Sequence, residues 1–99
     1  MSLTPKQRAH LKTLAHHLKA IHHVGKEGIS DAGVAAVVES FNRRELIKVK
    51  VQESSPEHAG NAAQLLVERI PGVEHVQTIG RTVVLFRRHP LKPEIEFPK

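Results

Sequence analysis

Gly25, Lys26, Glu27 and Gly28 form a G-x-x-G pattern between a short apolar run and the start of a helix. Two glycines let a backbone turn sharply and come close to another molecule. The helix that follows points unpaired N–H groups and the positive end of its dipole into the same space. This combination is suited to holding a phosphate. Because two glycines three residues apart also occur in ordinary surface turns, the pattern alone leaves both interpretations open.

The eight histidines raise the question of metal binding or acid–base chemistry. The pairs His16-His17 and His22-His23 are adjacent in sequence, so their members point to different sides of a helix or strand. No His-x-x-x-His pair lies on a predicted helix, and we expect no metal, no cofactor and no catalytic residue. The serines have no nucleophile elbow around them, and no nucleotide-binding fingerprint is present, so no small-molecule substrate is expected.

Size and composition favour one soluble domain. The chain has 99 residues, of which 39% are hydrophobic and 25% charged. It contains no cysteine, which excludes disulfides, thiol catalysis and cysteine-ligated zinc. No apolar run is long enough to span a membrane, and residues 1–5 contain no apolar core of a signal peptide. We expect a cytoplasmic monomer with no membrane partner.

The net charge of +5 is unevenly distributed along the chain. Residues 1–52 contain nine Lys and Arg against four Asp and Glu, whereas residues 53–80 contain one against four. The predicted first helix has no acidic residue, so its outer face is cationic or neutral. A segregated basic charge indicates a polyanionic partner.

The element pattern begins with a helix capped by Thr4, with Pro5 at its first position and Gln7 completing a capping box. Its apolar stripe is formed by residues at spacings of three and four, Leu11, Leu14, Ala15 and Leu18. A strand follows over residues 20–24, Ser30 caps a second helix, and residues 45–51 alternate as a strand. Ser55 is expected to cap a third helix, with Pro56 next.

Residues 73–79 and 82–88 are expected to form a final hairpin around a Gly80-Arg81 turn. The order α-β-α-β-α-β-β predicts an α/β (α+β) two-layer fold, with helices covering the apolar face of a four-stranded mixed sheet. Residues 1–90 form the expected domain, and residues 91–99 a tail. Only three aromatic residues are present, all Phe, so a sheet that stacks bases is not expected. The mode of nucleic-acid binding that is left is contact with phosphates and sugars.

Three segments of the chain resemble the CRS1–YhbY family, whose domain is also called CRM. They are Leu18-Lys19 leading into residues 24–30, residues 45–50, and residues 79–87. The resemblance covers about residues 3–89. Two positions depart from it: Ala20 stands where members often have proline, and Glu27 places a negative charge in the loop.

The resemblance implies a fold similar to the C-terminal domain of bacterial translation initiation factor 3, with its strands in the order 1-2-4-3. It also implies that the G-x-x-G loop helps to bind RNA, as the similar loop of KH domains does. Free-standing members are linked to precursors of the large ribosomal subunit. We therefore predict a non-enzymatic RNA-binding protein that acts in assembly of that subunit.

The candidate RNA-binding residues belong to the loop, to the first helix and to the strands. Lys6, Arg8, Lys12 and Lys19 are assigned to the first helix, and Gly25, Lys26 and Gly28 to the loop. The strand and turn candidates are His23, Lys48, Lys50 and Arg81. Two alternatives stay open, a protein-interaction adaptor on ribosomal particles and a ribonuclease that depends on His23.

Overall fold

The computed structural model describes residues 3–98, which form three helices and one four-stranded sheet. The elements are α1 (Pro5–Ala15), β1 (Ala20–Val24), α2 (Asp31–Phe41), β2 (Leu46–Val51), α3 (Ala59–Arg69), β3 (Glu74–Ile79) and β4 (Thr82–Phe86). The strand order is β1-β2-β4-β3. β1 and β2 are parallel, and the other two pairs are antiparallel. The predicted α+β fold with a mixed sheet and the strand order implied by the resemblance are confirmed.

The capping box at the start of α1 is present as predicted. The Gln7 backbone N–H donates to Thr4 Oγ1 at 3.1 Å, and the Thr4 N–H donates to Gln7 Oε1 at 3.0 Å. The helix ends at Ala15, because the next N–H groups bond three rather than four residues back, as at Leu18 N to Ala15 O. The assignment of Lys19 to the first helix is therefore wrong. This lysine lies in the segment that joins α1 to β1.

The start of α3 also differs from the prediction. Ser55 Oγ accepts the Glu57 N–H at 3.1 Å and donates to the Glu57 carbonyl at 3.0 Å, which closes a local turn. Serine favours such turns because its short side chain competes for backbone groups. The helix begins only at Ala59, with His58 as an N-cap that makes no side-chain hydrogen bond. The prediction that Ser55 caps this helix is wrong.

Two apolar clusters cover opposite faces of the sheet. Side chains of a strand alternate between faces, so Ile47, Val49 and Val51 of β2 pack with α2 and α3. Leu46 packs on the other face with Leu11 and Ala15 of α1. We call these two sides the α2/α3 face and the α1 face. The sequence predicted two layers with the helices on one apolar face; the structure places α1 on the other face, where it covers part of the sheet.

The chain after β4 folds back onto the α1 cluster. β4 ends at Phe86, two residues earlier than predicted, and Phe97 packs edge-on against its ring with centroids 5.7 Å apart. Arg88 donates to the Ile95 carbonyl at 2.8 Å. Residues 91–98 therefore contact the body of the protein. The boundary between a domain of residues 1–90 and a tail of residues 91–99 stays a prediction, and Lys99 lies outside the described residues.

Candidate functional site

The G-x-x-G loop is a tight turn at one end of the sheet. It follows directly on β1, and the Gly28 N–H donates to the Gly25 carbonyl at 2.9 Å, so Lys26 and Glu27 are exposed at the centre of the turn. Gly28 has a φ of +67°, a conformation that L side chains rarely adopt. We call this the loop end of the sheet, because β2 also ends there and the β3–β4 turn lies beside it, with Val51 N–H donating to the Arg81 carbonyl.

Side chains from the segment after β2 lie against both loop glycines. A Cβ on Gly25 would stand 3.3 Å from Gln52 Oε1. A Cβ on Gly28 would stand 2.8 Å from Glu57 Oε1 and closer still to Oε2. The distances at Gly28 are too short for a real Cβ, so a side chain there would displace the carboxylate, and the positive φ by itself favours glycine at this position. The need for this glycine therefore has an explanation inside the protein, independent of any ligand.

The N-terminus of α2 adjoins the loop and is capped as predicted. Ser30 Oγ accepts the Gly33 N–H at 3.0 Å. The Ile29 N–H donates to Glu57 Oε1 over 3.5 Å, a long and weak hydrogen bond. A carboxylate of the protein itself therefore lies where the loop and the helix present positive charge.

The α1 face carries most of the predicted cations. Lys48 and Lys50 point to this face because they alternate with the apolar residues of β2. His23 pairs with Lys50 in the β1–β2 register, so it lies on the same face. Within residues 3–98, four of the candidate lysines are exposed and make no side-chain hydrogen bond or ion pair: Lys12, Lys19, Lys26 and Lys50.

Three other predicted cations are engaged in contacts that stabilise the fold. Arg8 donates to the carbonyls of His75 and Val76, the latter at 2.7 Å, where β3 departs from regular pairing with β4. Lys48 donates to the Leu18 carbonyl at 3.0 Å and so fixes the segment between α1 and β1. Arg81 forms an ion pair with Glu53 at 2.8 Å. These side chains already have partners, so they are less available to a ligand than the four unpaired lysines.

The adjacent histidines of β1 point to opposite faces, as the sequence predicted. His22 lies on the α2/α3 side, where its Nε2 and Ser40 Oγ are 2.6 Å apart. Burial, together with Arg44 and His23 nearby, lowers the pKa of His22 below its ordinary value of 6.5. In residues 3–98 no group of three His, Asp or Glu could hold a metal ion. No helix in the same range is long and apolar enough to cross a membrane.

Two glutamates that the sequence did not single out shape the two ends of the sheet. Glu57 contacts Gly28 and the Ile29 N–H at the loop end. Glu45 is only 2% exposed and accepts backbone N–H groups from Glu94 and Ile95 on Oε1 and from His89 on Oε2, at 2.7–2.8 Å. Each glutamate joins segments far apart in sequence, and no local pattern of residues signals such a contact.

The family model for the CRS1/YhbY (CRM) domain matches residues 3–87. The chain belongs to this family. The matched range of the CRM domain includes the G-x-x-G loop and every candidate cation from Lys6 to Arg81, and it ends one residue after β4.

This CRM domain is similar along almost its whole length to curated proteins. It is 40% identical over 96 residues to the probable RNA-binding protein YqeI of Bacillus subtilis, covering 97% of this chain and 99% of that one. It is 36% identical over 86 residues to an RNA-binding protein of Haemophilus influenzae, covering 87% and 86%. The solution structure of the hypothetical protein SAV1595 from Staphylococcus aureus has a TM-score of 0.80 at 35% identity, covering 97% and 99%.

Proposed function

We propose that this protein is a non-enzymatic RNA-binding protein that binds ribosomal RNA in precursors of the large ribosomal subunit. The RNA would contact the α1 face and the G-x-x-G loop. Support for RNA as the partner comes from the relatives, which are named RNA-binding proteins. The assignment to large-subunit precursors rests on what the family resemblance implies.

The observation that carries the proposal is the set of candidate lysines whose side chains have no partner in the protein: Lys12, Lys19, Lys26 and Lys50. A lysine without an intramolecular partner is ready to neutralise a phosphate and release its counterion. The first 26 residues contain no Asp or Glu, so α1 and β1 bring no competing acid to this surface. A charged surface of this kind favours a polyanion over a neutral partner.

The aromatic residues favour contacts with the RNA backbone over stacking on bases. Phe41 and Phe86 are buried, and Phe97 is half-buried against Phe86. Residues 3–98 therefore offer no exposed aromatic ring as a platform for bases. Lysines and backbone N–H groups read phosphates and sugars, so affinity should depend more on RNA shape than on sequence.

Salt dependence of binding tests the electrostatic part of this proposal. The protein is titrated into large-subunit ribosomal RNA transcribed in vitro, at several salt concentrations, and bound RNA is measured by filter retention. We expect the logarithm of the affinity to fall linearly with the logarithm of the salt concentration. Lys26→Glu should weaken binding and make this slope shallower by about one or more.

Lys92→Glu is the matched control, because Lys92 is exposed in the tail, away from the loop end. The same change of charge there should leave the affinity within about twofold of the parent protein, since exposed charges farther apart than about 10 Å are largely screened. Binding that does not respond to salt, or equal losses for the two variants, would contradict the proposal.

Crosslinking in cells, followed by sequencing of the attached RNA, tests the identity of the RNA. Reads should concentrate in large-subunit ribosomal RNA and include unprocessed precursor ends. An alternative outcome, a protein partner that stays bound after RNase treatment with no enriched RNA, would support an adaptor on ribosomal particles instead.

A further inference from the structure

The carboxylate of Glu57 lies against the G-x-x-G loop, which is the part of the molecule proposed to bind an RNA phosphate. Both carboxylate oxygens of Glu57 lie against Gly28, and Oε1 accepts the Ile29 N–H at 3.5 Å. Glu57 Oε2 also lies 3.3 Å from Ser55 Oγ, on its own segment. A carboxylate from residues 52–58 is therefore held over the loop at the entry to α2.

This carboxylate resembles a phosphate in the features that matter for the loop. Both are anions with oxygen atoms that accept N–H groups, and both are attracted to the positive end of a helix dipole. An RNA phosphate that approached Gly28 and Ile29 would meet the charge of Glu57 at van der Waals distance. Two like charges that close repel each other even in bulk water.

The attachment of Glu57 is weak enough to be broken. Its hydrogen bond to Ile29 is at the long limit of such bonds, and its side chain is only partly buried. No cation is paired with it among the described residues. The carboxylate can therefore turn out into solvent without leaving a buried charge behind.

We propose that Glu57 is an internal competitor of the RNA phosphate, so that the loop accepts RNA only when this carboxylate moves aside. The inference rests on the proposed function of the loop. Glu57 acts here as a specificity-determining residue. It rejects isolated phosphates, whereas an RNA already held by the lysines of the α1 face gains a high effective concentration at the loop and displaces it.

The substitution Glu57→Gln tests this role, because it keeps the size and the acceptor oxygen of the side chain and removes its charge. In the filter assay with large-subunit ribosomal RNA, Glu57→Gln should bind about fivefold more tightly than the parent protein. Glu68→Gln is the matched control, since it removes one exposed negative charge from the last turn of α3. It should change the affinity less than twofold. Equal effects of the two substitutions, or weaker binding by Glu57→Gln, would overturn the proposal.

A second measurement separates this inference from the proposed function. Inorganic phosphate is titrated into the ¹⁵N-labelled parent protein and into both variants, and amide shifts are followed by NMR. The Ile29 and Gly28 amides should shift in Glu57→Gln at phosphate concentrations that leave them unmoved in the parent and in Glu68→Gln. If no variant binds the RNA but this difference is seen, the proposed function fails and the competition stands. If RNA binds and the amides of all three proteins respond alike, the competition fails alone.

The substitution Glu57→Asp keeps the test decisive if the Gln variant does not fold. It retains the charge but withdraws the carboxylate from Gly28 by one methylene. Its affinity for the RNA should lie between those of the parent and a fully neutralised side chain, about twofold above the parent. An affinity below that of the parent would show that the contact supports RNA binding, which contradicts the proposal.

Discussion

Glu45 and Glu57 are two carboxylates at opposite ends of one sheet, and they are held in opposite ways. At the end where β2 begins, Glu45 is buried and accepts three backbone N–H groups at 2.7–2.8 Å, with Arg88 3.6 Å from Oε2. At the loop end, Glu57 is partly exposed and accepts one distant backbone N–H from another segment. The hydrogen bonds of Glu45 leave no room for a ligand, whereas the contact of Glu57 with the loop is one that a ligand can replace.

The difference illustrates how the same residue type can stabilise a fold in one place and control ligand binding in another. A buried charge is tolerated only when it is fully hydrogen-bonded and paired, so Glu45 is committed to holding the tail against the body. A half-exposed charge is solvated whichever way it turns, so Glu57 can move at little cost. We therefore expect substitution of Glu45 to affect stability, and substitution of Glu57 to affect ligand binding.

The largest expected effect is the loss of stability in Glu45→Gln. The amide group keeps one acceptor but turns an N–H₂ group toward a backbone donor, which leaves a buried N–H of the tail unpaired and removes the ion pair with Arg88. The free energy of unfolding, measured by urea denaturation, should fall by about 3 kcal/mol. The control Glu39→Gln changes an exposed residue and should stay within about 0.5 kcal/mol of the parent. Similar values for the two variants would contradict the role of Glu45.

The contribution of Glu45 should also depend on pH. Burial by itself would raise the pKa of this carboxyl, but the N–H groups of Ile95, His89 and Glu94, with Arg88, lower it below the ordinary value of 4.5. A lowered pKa in the folded state means that the stabilisation is fully present above pH 4.5 and is lost as the pH falls through the folded value.

Urea denaturation from pH 7 to pH 3 checks this direction. The difference in unfolding free energy between the parent and Glu45→Gln should be constant down to about pH 4.5 and should shrink below it. Comparing the two proteins cancels the effect of His22, whose lowered pKa reduces stability below pH 6.5 in both. A difference that grows toward acid pH would be inconsistent with the contacts seen at Glu45.

At the loop end, a glycine comparison is expected to give an intermediate effect. Gly28→Ala should lower the unfolding free energy by about 1–2 kcal/mol, because alanine rarely adopts a φ of +67°. Gly60→Ala lies in α3, where a Cβ meets nothing within 4 Å, and it should instead raise stability by about 0.5–1 kcal/mol. Thermal unfolding of both variants checks the opposite signs. A stabilising Gly28→Ala would show that the loop is not held as described.

The sequence predicted what depends on local pattern. The capping box at Thr4 and Gln7, the alternation of β2 and the hairpin turn at Gly80 and Arg81 each involve neighbouring residues, and all are found in the structure. The family resemblance added the strand order, which no local pattern contains. The position of the G-x-x-G turn was also predicted from neighbouring residues.

The contacts that decide the site depend on residues far apart in the chain. Arg8 donates hydrogen bonds to the carbonyls of His75 and Val76, 67 and 68 residues away. The Lys48 ammonium donates to the Leu18 carbonyl. Glu57 reaches Ile29 across 28 residues. The sequence alone does not distinguish among these charged residues. In the folded protein, some lysines and arginines have intramolecular partners and others do not. The unpaired set could not be chosen until the tertiary contacts were known.

The smallest expected effect is the change in stability of Glu57→Gln, which is compared directly with that of Glu45→Gln. Glu57→Gln is chemically the same substitution as Glu45→Gln, so any difference in stability between the two variants comes from their surroundings. The Glu57 carboxylate has only two long hydrogen bonds, from the Ile29 N–H and the Ser55 hydroxyl, and a glutamine oxygen can still accept one of them. The unfolding free energy should therefore change by less than about 0.5 kcal/mol. Urea denaturation of both variants under the same conditions measures this. A loss at Glu57 as large as that at Glu45 would mean that its carboxylate is part of the stable framework. It could not then move aside for a phosphate, because every displacement would carry the same cost in folding free energy.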